Sequence, residues 1–200
     1  MRRRVLAISL ALTAWIGGSI AGSLGSVTHA AGRPALEIGR AHADFVPALT
    51  GDDPIFILLL GSDARPGTAL EQGLSDSIHI LGINPGARRA TLIGIPRDSW
   101  VPLSTGGTSK INAAMPQGGP EAEVATVEAV TGITFDYYTL TGFDELVRAV
   151  DELGGITVDI PYSFDGYDER FEQGIKKLDG RSALQFARTR HSLQRGDFDR

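Results

Sequence analysis

Apolar residues fall in short blocks cut by glycine, proline and charge, and the period within each block predicts its conformation. Ile55 to Leu60 is an unbroken apolar run of strand length, stopped by Gly61-Ser62-Asp63. Such a run suits a central strand buried on both faces. Ile78 to Ile83 and Ala90 to Ile95 are two further runs joined by Asn84-Pro85-Gly86-Ala87-Arg88-Arg89, and the Pro-Gly step predicts an antiparallel hairpin. Glu121 to Val130 carries Val124, Val127 and Val130 at helical spacing, with Pro120 at a first helical position and Gly132 past the end. A second amphipathic helix is predicted from Phe143, Leu146, Val147, Val150 and Leu153, stopped by Gly154-Gly155.

Tyr137 to Leu140 lies between these helices and Ile156 to Ile160 follows them, each reading as a strand. A shorter helix is predicted over residues 181–188, opened by Leu178-Asp179-Gly180 and carrying Ala183, Leu184 and Ala187 on one face. Alternating β and α elements predict an α/β fold with a mixed sheet.

The first residues follow a different pattern. Met1-Arg2-Arg3-Arg4 precedes a stretch from Val5 to Gly32 with no Asp, Glu, Lys or Arg, longer than the roughly 20 residues a membrane helix needs. The arginine triplet predicts the N-terminus inside and the body in the extracytoplasmic space. The expectation is an uncleaved single-pass anchor in the cell membrane over 1–32. A cleaved signal peptide is the alternative, with Thr28-His29-Ala30 before Ala31 as its processing site. Residues 33–53, with Pro34, Gly39 and Pro47, read as a linker with a short helical turn. One globular domain is expected over 54–200.

Composition narrows the chemistry. The absence of cysteine excludes a disulfide framework and a thiolate metal site. A net charge of −5 opposes a basic nucleic-acid binder, so no nucleic-acid partner is expected. Residues 176–200 nevertheless hold seven Lys and Arg against three Asp, an anion-attracting end on an acidic protein.

Candidate functional residues sit beside predicted strand and helix ends. Asp63 and Arg65 follow the first buried run, Asp76 precedes the second, and Arg97-Asp98 follows the third. In an open α/β sheet such loops can meet at one edge. Two aspartates suit Mg²⁺, which takes oxygen ligands from one or two carboxylates with substrate phosphates and water. Arg97, Arg188, Arg190 and Arg200 suit phosphate oxygens through bidentate hydrogen bonds. Together these types point to a phosphorylated substrate.

Plainer roles stand beside each assignment. Asp63 can form an Asx turn and Asp76 can cap a loop. Arg97 with Asp98 can be an exposed ion pair, Arg188 and Arg190 solvated cations at a helix C-terminus, and His191 a surface residue. Lys110-Ile111-Asn112 fits substrate contacts or a polar turn equally. No Walker loop, nucleophile elbow, His-Glu-x-x-His or Gly-x-Gly-x-x-Gly is present.

Read in order, several motifs resemble the LytR-CpsA-Psr family. They are Ile57-Leu58-Leu59-Leu60-Gly61-Ser62-Asp63-Ala64-Arg65, Ser75-Asp76-Ser77-Ile78, Ile95-Pro96-Arg97-Asp98, and Lys110-Ile111-Asn112-Ala113-Ala114 with Gly118-Gly119. The likeness continues through Val150-Asp151-Glu152-Leu153-Gly154-Gly155-Ile156, Leu178-Asp179-Gly180, Ala187-Arg188-Thr189-Arg190 and Gly196-Asp197-Phe198-Asp199-Arg200.

The resemblance implies a membrane-anchored, three-layer α/β/α enzyme that acts outside the cytoplasm. Such a Mg²⁺-dependent phosphotransferase moves a glycopolymer from a polyprenyl-pyrophosphate carrier to peptidoglycan. It assigns Asp63 and Asp76 to the metal and Arg97, Arg188, Arg190 and Arg200 to the pyrophosphate. From their own placement, Arg65, Lys110 and Asn112 are further candidate substrate contacts. It also implies an apolar tunnel for the lipid tail, with the stripes on residues 121–130 and 143–153 as lining candidates or as ordinary core.

Two departures are visible. Leu74 stands where the family has an arginine, and the sequence stops at Arg200, before a further helix the family carries. The expected activity is glycopolymer transfer. The alternatives are a polyprenyl (pyro)phosphate-binding protein without turnover, a pyrophosphate hydrolase that uses water as acceptor and, least favoured, a transcription regulator.

Overall fold

The computed structural model describes residues 37–42, 53–65 and 67–189. The chain divides into Met1–Pro34 and Ala35–Arg200, and every described residue belongs to the second unit. The expected anchor over 1–32 therefore lies outside the described residues. Among the described residues no helix is long and apolar enough to cross a membrane.

A five-stranded mixed sheet carries the fold, in the order β1 (Glu37–Arg40), β7 (Tyr137–Thr141), β2 (Ile55–Ser62), β3 (Ser75–Asn84), β4 (Arg89–Ile95). The apolar run at Ile55 does form the middle strand. It runs parallel to β7 and antiparallel to β3. The β3–β4 hairpin forms as predicted, its turn tied by the Ala87 amide donating to Asn84 Oδ1 at 2.8 Å.

Two expectations are corrected. The segment read as linker with a helical turn contributes β1, which pairs with β7 through Gly39 opposite Tyr138. A methyl group at Gly39 would collide with the Tyr138 ring, so glycine lets the two strands close. The second correction concerns β2, which is sealed on one face only. Leu58 and Leu60 are buried with Ile78, Ile80, Tyr138 and Leu140, whereas Ile57 and Leu59 on the opposite face are half-buried. Alternate residues of a strand face opposite sides, and the second side carries Leu81 and Leu92 in the same row.

The sealed face packs against α1 (Ala114–Thr131), whose Val124 and Val127 join the core while Val130 stays exposed. This helix is longer than predicted and broken at Gly118-Gly119, where Gly119 has φ +78°. Pro120 therefore opens its second segment, the position at which its missing N–H costs nothing. The stop is also as predicted, with Gly132 at φ +71° and its amide donating to the Glu128 carbonyl. Between β4 and α1 runs a small hairpin of β5 (Trp100–Pro102) and β6 (Thr108–Lys110).

A second apolar cluster holds α2 (Phe143–Glu152) and α3 (Gly180–Arg188) against a ribbon of β8 (Ile156–Ile160) and β11 (Gly174–Leu178) and a hairpin of β9 (Phe164–Asp165) and β10 (Arg170–Phe171). Val150, Ile160, Phe164, Phe171, Leu178 and Ala183 are its buried members. Asp179 caps α3 by accepting from the Ser182 amide at 2.8 Å.

Candidate functional site

Of the polar residues singled out in the sequence, Asp63, Asp76, Arg97 and Asn112 lie where β2 ends and β3 begins. Ser62 pairs with Ser75 after a register shift at Gly61/Ser62, so Asp63 and Asp76 flank that pair on adjacent strands. The intervening loop is fastened from within. Asp63 donates its amide to the Leu74 carbonyl at 3.0 Å, and the Leu74 amide returns a bond to Asp63 Oδ1 at 2.8 Å. The Asp76 amide donates to the same Leu74 carbonyl at 3.0 Å. Ser62 Oγ donates to the Leu70 carbonyl at 2.6 Å and accepts from the Ala64 amide at 3.1 Å. Leu74 thus serves both aspartates through its backbone, while its side chain is exposed.

Arg97 and Asn112 converge on Asp76. The Arg97 guanidinium donates to Asp76 Oδ2, and the Asn112 amide donates to Oδ1 at 3.2 Å. The Asn112 backbone amide also donates to the Arg97 carbonyl at 3.4 Å. Asn112 is buried, so the Lys110-Ile111-Asn112 segment is more than an exposed polar turn. The plainer reading of Arg97 as the ion-pair partner of Asp98 is secondary, at 3.7 Å, because the guanidinium is turned to Asp76. Asp98 instead accepts from Lys110 Nζ at 2.5 Å.

Arg188 lies over two aromatic rings, one of them just beyond the end of β7. Its guanidinium lies 4.6 Å from the Phe143 ring centroid and 5.6 Å from that of Tyr167. Phe143 stands two residues beyond Thr141, which pairs with Gly61 two residues before Asp63. A cation held over aromatic faces keeps its N–H fork free for an anion. Arg65 is exposed on the loop, and no side-chain bond ties it to the cluster among the described residues. Arg190, Arg200 and His191 lie outside the described residues.

Two residues of the site escaped sequence reasoning. Ser75 is fully buried and reaches the Asn112 carbonyl at 3.5 Å. Behind it, Glu123 is fully buried, accepts from the Met115 amide at 3.0 Å and leaves Oε1 without a hydrogen-bond partner. Desolvation pushes its carboxyl up to about 7, against the lowering effect of the hydrogen bond from the Met115 amide. The signal was its spacing, since Glu123 lies one helical turn before the buried Val127.

Two carboxylates, Asp63 and Asp76, are of the type that can hold a hard divalent cation. Asp63 Oδ2 has no protein hydrogen-bond partner among the described residues, and Asp76 binds the Arg97 cation. No cluster of three or more His, Cys, Asp or Glu occurs among the described residues.

A sequence profile of the LytR_cpsA_psr family matches residues 27–200. The chain belongs to the LytR_cpsA_psr family. It is 36% identical over 154 residues to TagU of Oceanobacillus iheyensis, a polyisoprenyl-teichoic acid–peptidoglycan teichoic acid transferase, matching 74% of this chain and 47% of that relative. Among solved structures, that of Bacillus subtilis TagV is similar at a TM-score of 0.65 and 36% identity, covering 74% of this chain and 59% of that one. The family protein YwtF (TagT), with bound octaprenyl pyrophosphate lipid, is similar at a TM-score of 0.61 and 27% identity, covering 75% and 62% of the two chains. This LytR_cpsA_psr chain spans about half the length of the curated relatives it matches.

Proposed function

We propose that this protein is a phosphotransferase that moves a glycopolymer from a polyprenyl-pyrophosphate carrier to peptidoglycan with Mg²⁺ as cofactor. The observation that carries the reading is the convergence of Arg97 and Asn112 on Asp76 beside the loop that holds Asp63. Membership of a family whose relatives bear transferase names, one with a polyprenyl pyrophosphate bound, supports it.

Asp63 and Asp76 would hold the ion, which supplies charge neutralisation at the phosphate oxygens. Arg97, held on the anionic Asp76, would supply its guanidinium to a phosphate oxygen of the substrate. Arg188, with its fork free, takes a second oxygen, and Arg190 and Arg200 are assigned to the same anion. Arg65, Lys110 and Asn112 orient the substrate around it. A peptidoglycan hydroxyl then attacks the sugar-linked phosphorus in line: the new P–O bond forms as the bridging P–O bond of the pyrophosphate breaks, polyprenyl monophosphate departs with its charge met by the arginines, and the hydroxyl proton passes to the departing phosphate or to water.

The lipid tail needs apolar cover. The half-buried face of the sheet with Ile57, Leu59 and Leu81, together with Leu146 and Val147 of α2, is the lining we assign to it, within a three-layer α/β/α arrangement. The stripe on α1 is core, since Val124 and Val127 are fully buried. Residues 1–32 would hold this domain at the outer face of the cell membrane.

Leu74 keeps its backbone bonds to Asp63 and Asp76 but brings no guanidinium to the phosphate, so a binder without turnover is the alternative, and transfer that appears only in Leu74→Arg would favour it. Incubation of the protein with a polyprenyl-diphosphate-linked glycan, with and without peptidoglycan, tests the reading. Wall-linked polymer is expected only with acceptor. Free glycan phosphate in both arms would make the protein a hydrolase instead.

A further inference from the structure

The β5–β6 hairpin presents a feature that the phosphate chemistry does not use. Trp100 is 70% exposed, although its neighbour Val101 packs against the sheet core. Alternation along the strand turns Trp100 and Pro102 to the outer face. Register puts Lys110 opposite Trp100 and Thr108 opposite Pro102, and all four are exposed.

This outer face adjoins the candidate site through a continuous chain of contacts. Lys110 lies directly across from Trp100, and its ammonium donates to Asp98. Asp98 is 3.7 Å from the Arg97 guanidinium, which in turn binds Asp76.

The indole is also held on a fixed support. The Ile111 amide donates to the Ser99 carbonyl at 2.8 Å at one end of the hairpin. At the other end the Ser104 amide donates to Thr126 Oγ1 at 3.0 Å and Thr105 Oγ1 donates to Gln117 at 2.8 Å. The exposure of Trp100 is thus built into a segment pinned to α1.

We propose that Trp100 is a stacking platform for a pyranose ring next to the reacting phosphate, with Asp98, Lys110 and Thr108 as partners for its hydroxyls. The polarised C–H groups on one face of a pyranose match the negative face of an indole. One aromatic ring with polar groups at its margin is scaled to a single sugar. A protein partner would need a wider apolar surface around it. The proposal rests on the transferase reading for the order of groups along the substrate, and the sugar belongs either to the carrier-linked glycan or to the peptidoglycan acceptor.

The chain has two tryptophans, so in the full-length Trp15→Phe protein Trp100 is the sole indole reporter. Its fluorescence in detergent micelles is to be followed with three probes: a short polyprenyl diphosphate, the same diphosphate bearing N-acetylglucosamine, and a muramyl disaccharide fragment of peptidoglycan. A blue shift or quench is expected with a sugar-bearing probe and none with the bare diphosphate. The responding probe identifies which sugar is held. By isothermal titration calorimetry, which needs no indole, Trp100→Ala is expected to weaken that probe at least tenfold and Trp100→Phe less than threefold, with affinity for the bare diphosphate unchanged in both.

No response to either sugar, or an equal loss for the bare diphosphate, would overturn the platform. A protein that binds no diphosphate yet responds to the disaccharide would overturn the transferase reading and keep the platform.

Discussion

Arg97 donates to Asp76 Oδ2 while Asn112 occupies the other carboxylate oxygen, so the acid assigned to a metal is paired with the cation assigned to phosphate. Each is about a quarter exposed, at 25% and 26%. A pair this open contributes on the order of 1 kcal/mol or less to stability. Loss of a charge-stabilising donor in the transition state costs about 10²- to 10³-fold in rate. Arg97→Ala should therefore unfold within a few degrees of the parent and transfer at least 100-fold more slowly. Thermal unfolding with a turnover assay checks both, and a rate within tenfold of the parent would remove Arg97 from the chemistry.

Asp63 has a structural and a proposed chemical role that separate by substitution. Its Oδ1 accepts from the Leu74 amide, which closes the loop between β2 and β3. Asp63→Asn keeps an acceptor oxygen and should fold with near-parental stability, yet lose transfer. Asp63→Ala also loses the loop bond and should be less stable by about 1.5–3 kcal/mol, the usual range for a hydrogen bond to a charged group. Chemical denaturation of both variants is the check. Equal stability of the two would show that the bond to Leu74 does not hold the loop.

Glu123 links stability to pH. Burial raises its folded value from 4.5 to about 7. Between those values the folded state keeps a proton that the unfolded chain has released, so stability falls as pH rises through that window. Glu123→Gln keeps an acceptor for the Met115 amide and removes the charge. It should exceed the parent by about 1–3 kcal/mol at pH 8 and converge with it below pH 4.5. Denaturation midpoints across pH would reveal a constant difference if desolvation were not the cause.

Gly73 sits where the loop closes on itself. A methyl group there would meet Ser62 Oγ and lie 2.5 Å from the Ala64 amide nitrogen, so the backbone beside Asp63 must move. Gly73→Ala should lower both stability and transfer, whereas Gly132→Ala, at the far end of α1 and in open space, should lower stability alone. Parallel melting and turnover measurements distinguish the two.

Legibility in the sequence followed the strength of local patterns. Unbroken apolar runs marked β2, β3 and β4, and the Pro120 and Gly132 signals marked the second segment of α1. β1 was hidden because Glu-Ile-Gly-Arg has one apolar residue and depends on Tyr138 closing over Gly39. The first turn of α1 was hidden because Ala114 to Gln117 is too short for a period. The acids and Arg97 were legible through ordered motifs. What holds them was not, since Leu74 acts through its backbone and Ser75 and Glu123 through burial, which charge and spacing do not register. Phe143 read as a helix-stripe residue, and only the fold brings its ring beneath Arg188.

The most direct test of the account is anomalous diffraction from crystals of the protein grown with a polyprenyl diphosphate and Mn²⁺ in place of Mg²⁺. The account predicts one metal peak within about 2.3 Å of carboxylate oxygens of both Asp63 and Asp76, with the diphosphate against Arg97 and Arg188. A diphosphate bound away from Arg97, or a metal peak that touches neither aspartate, would contradict it.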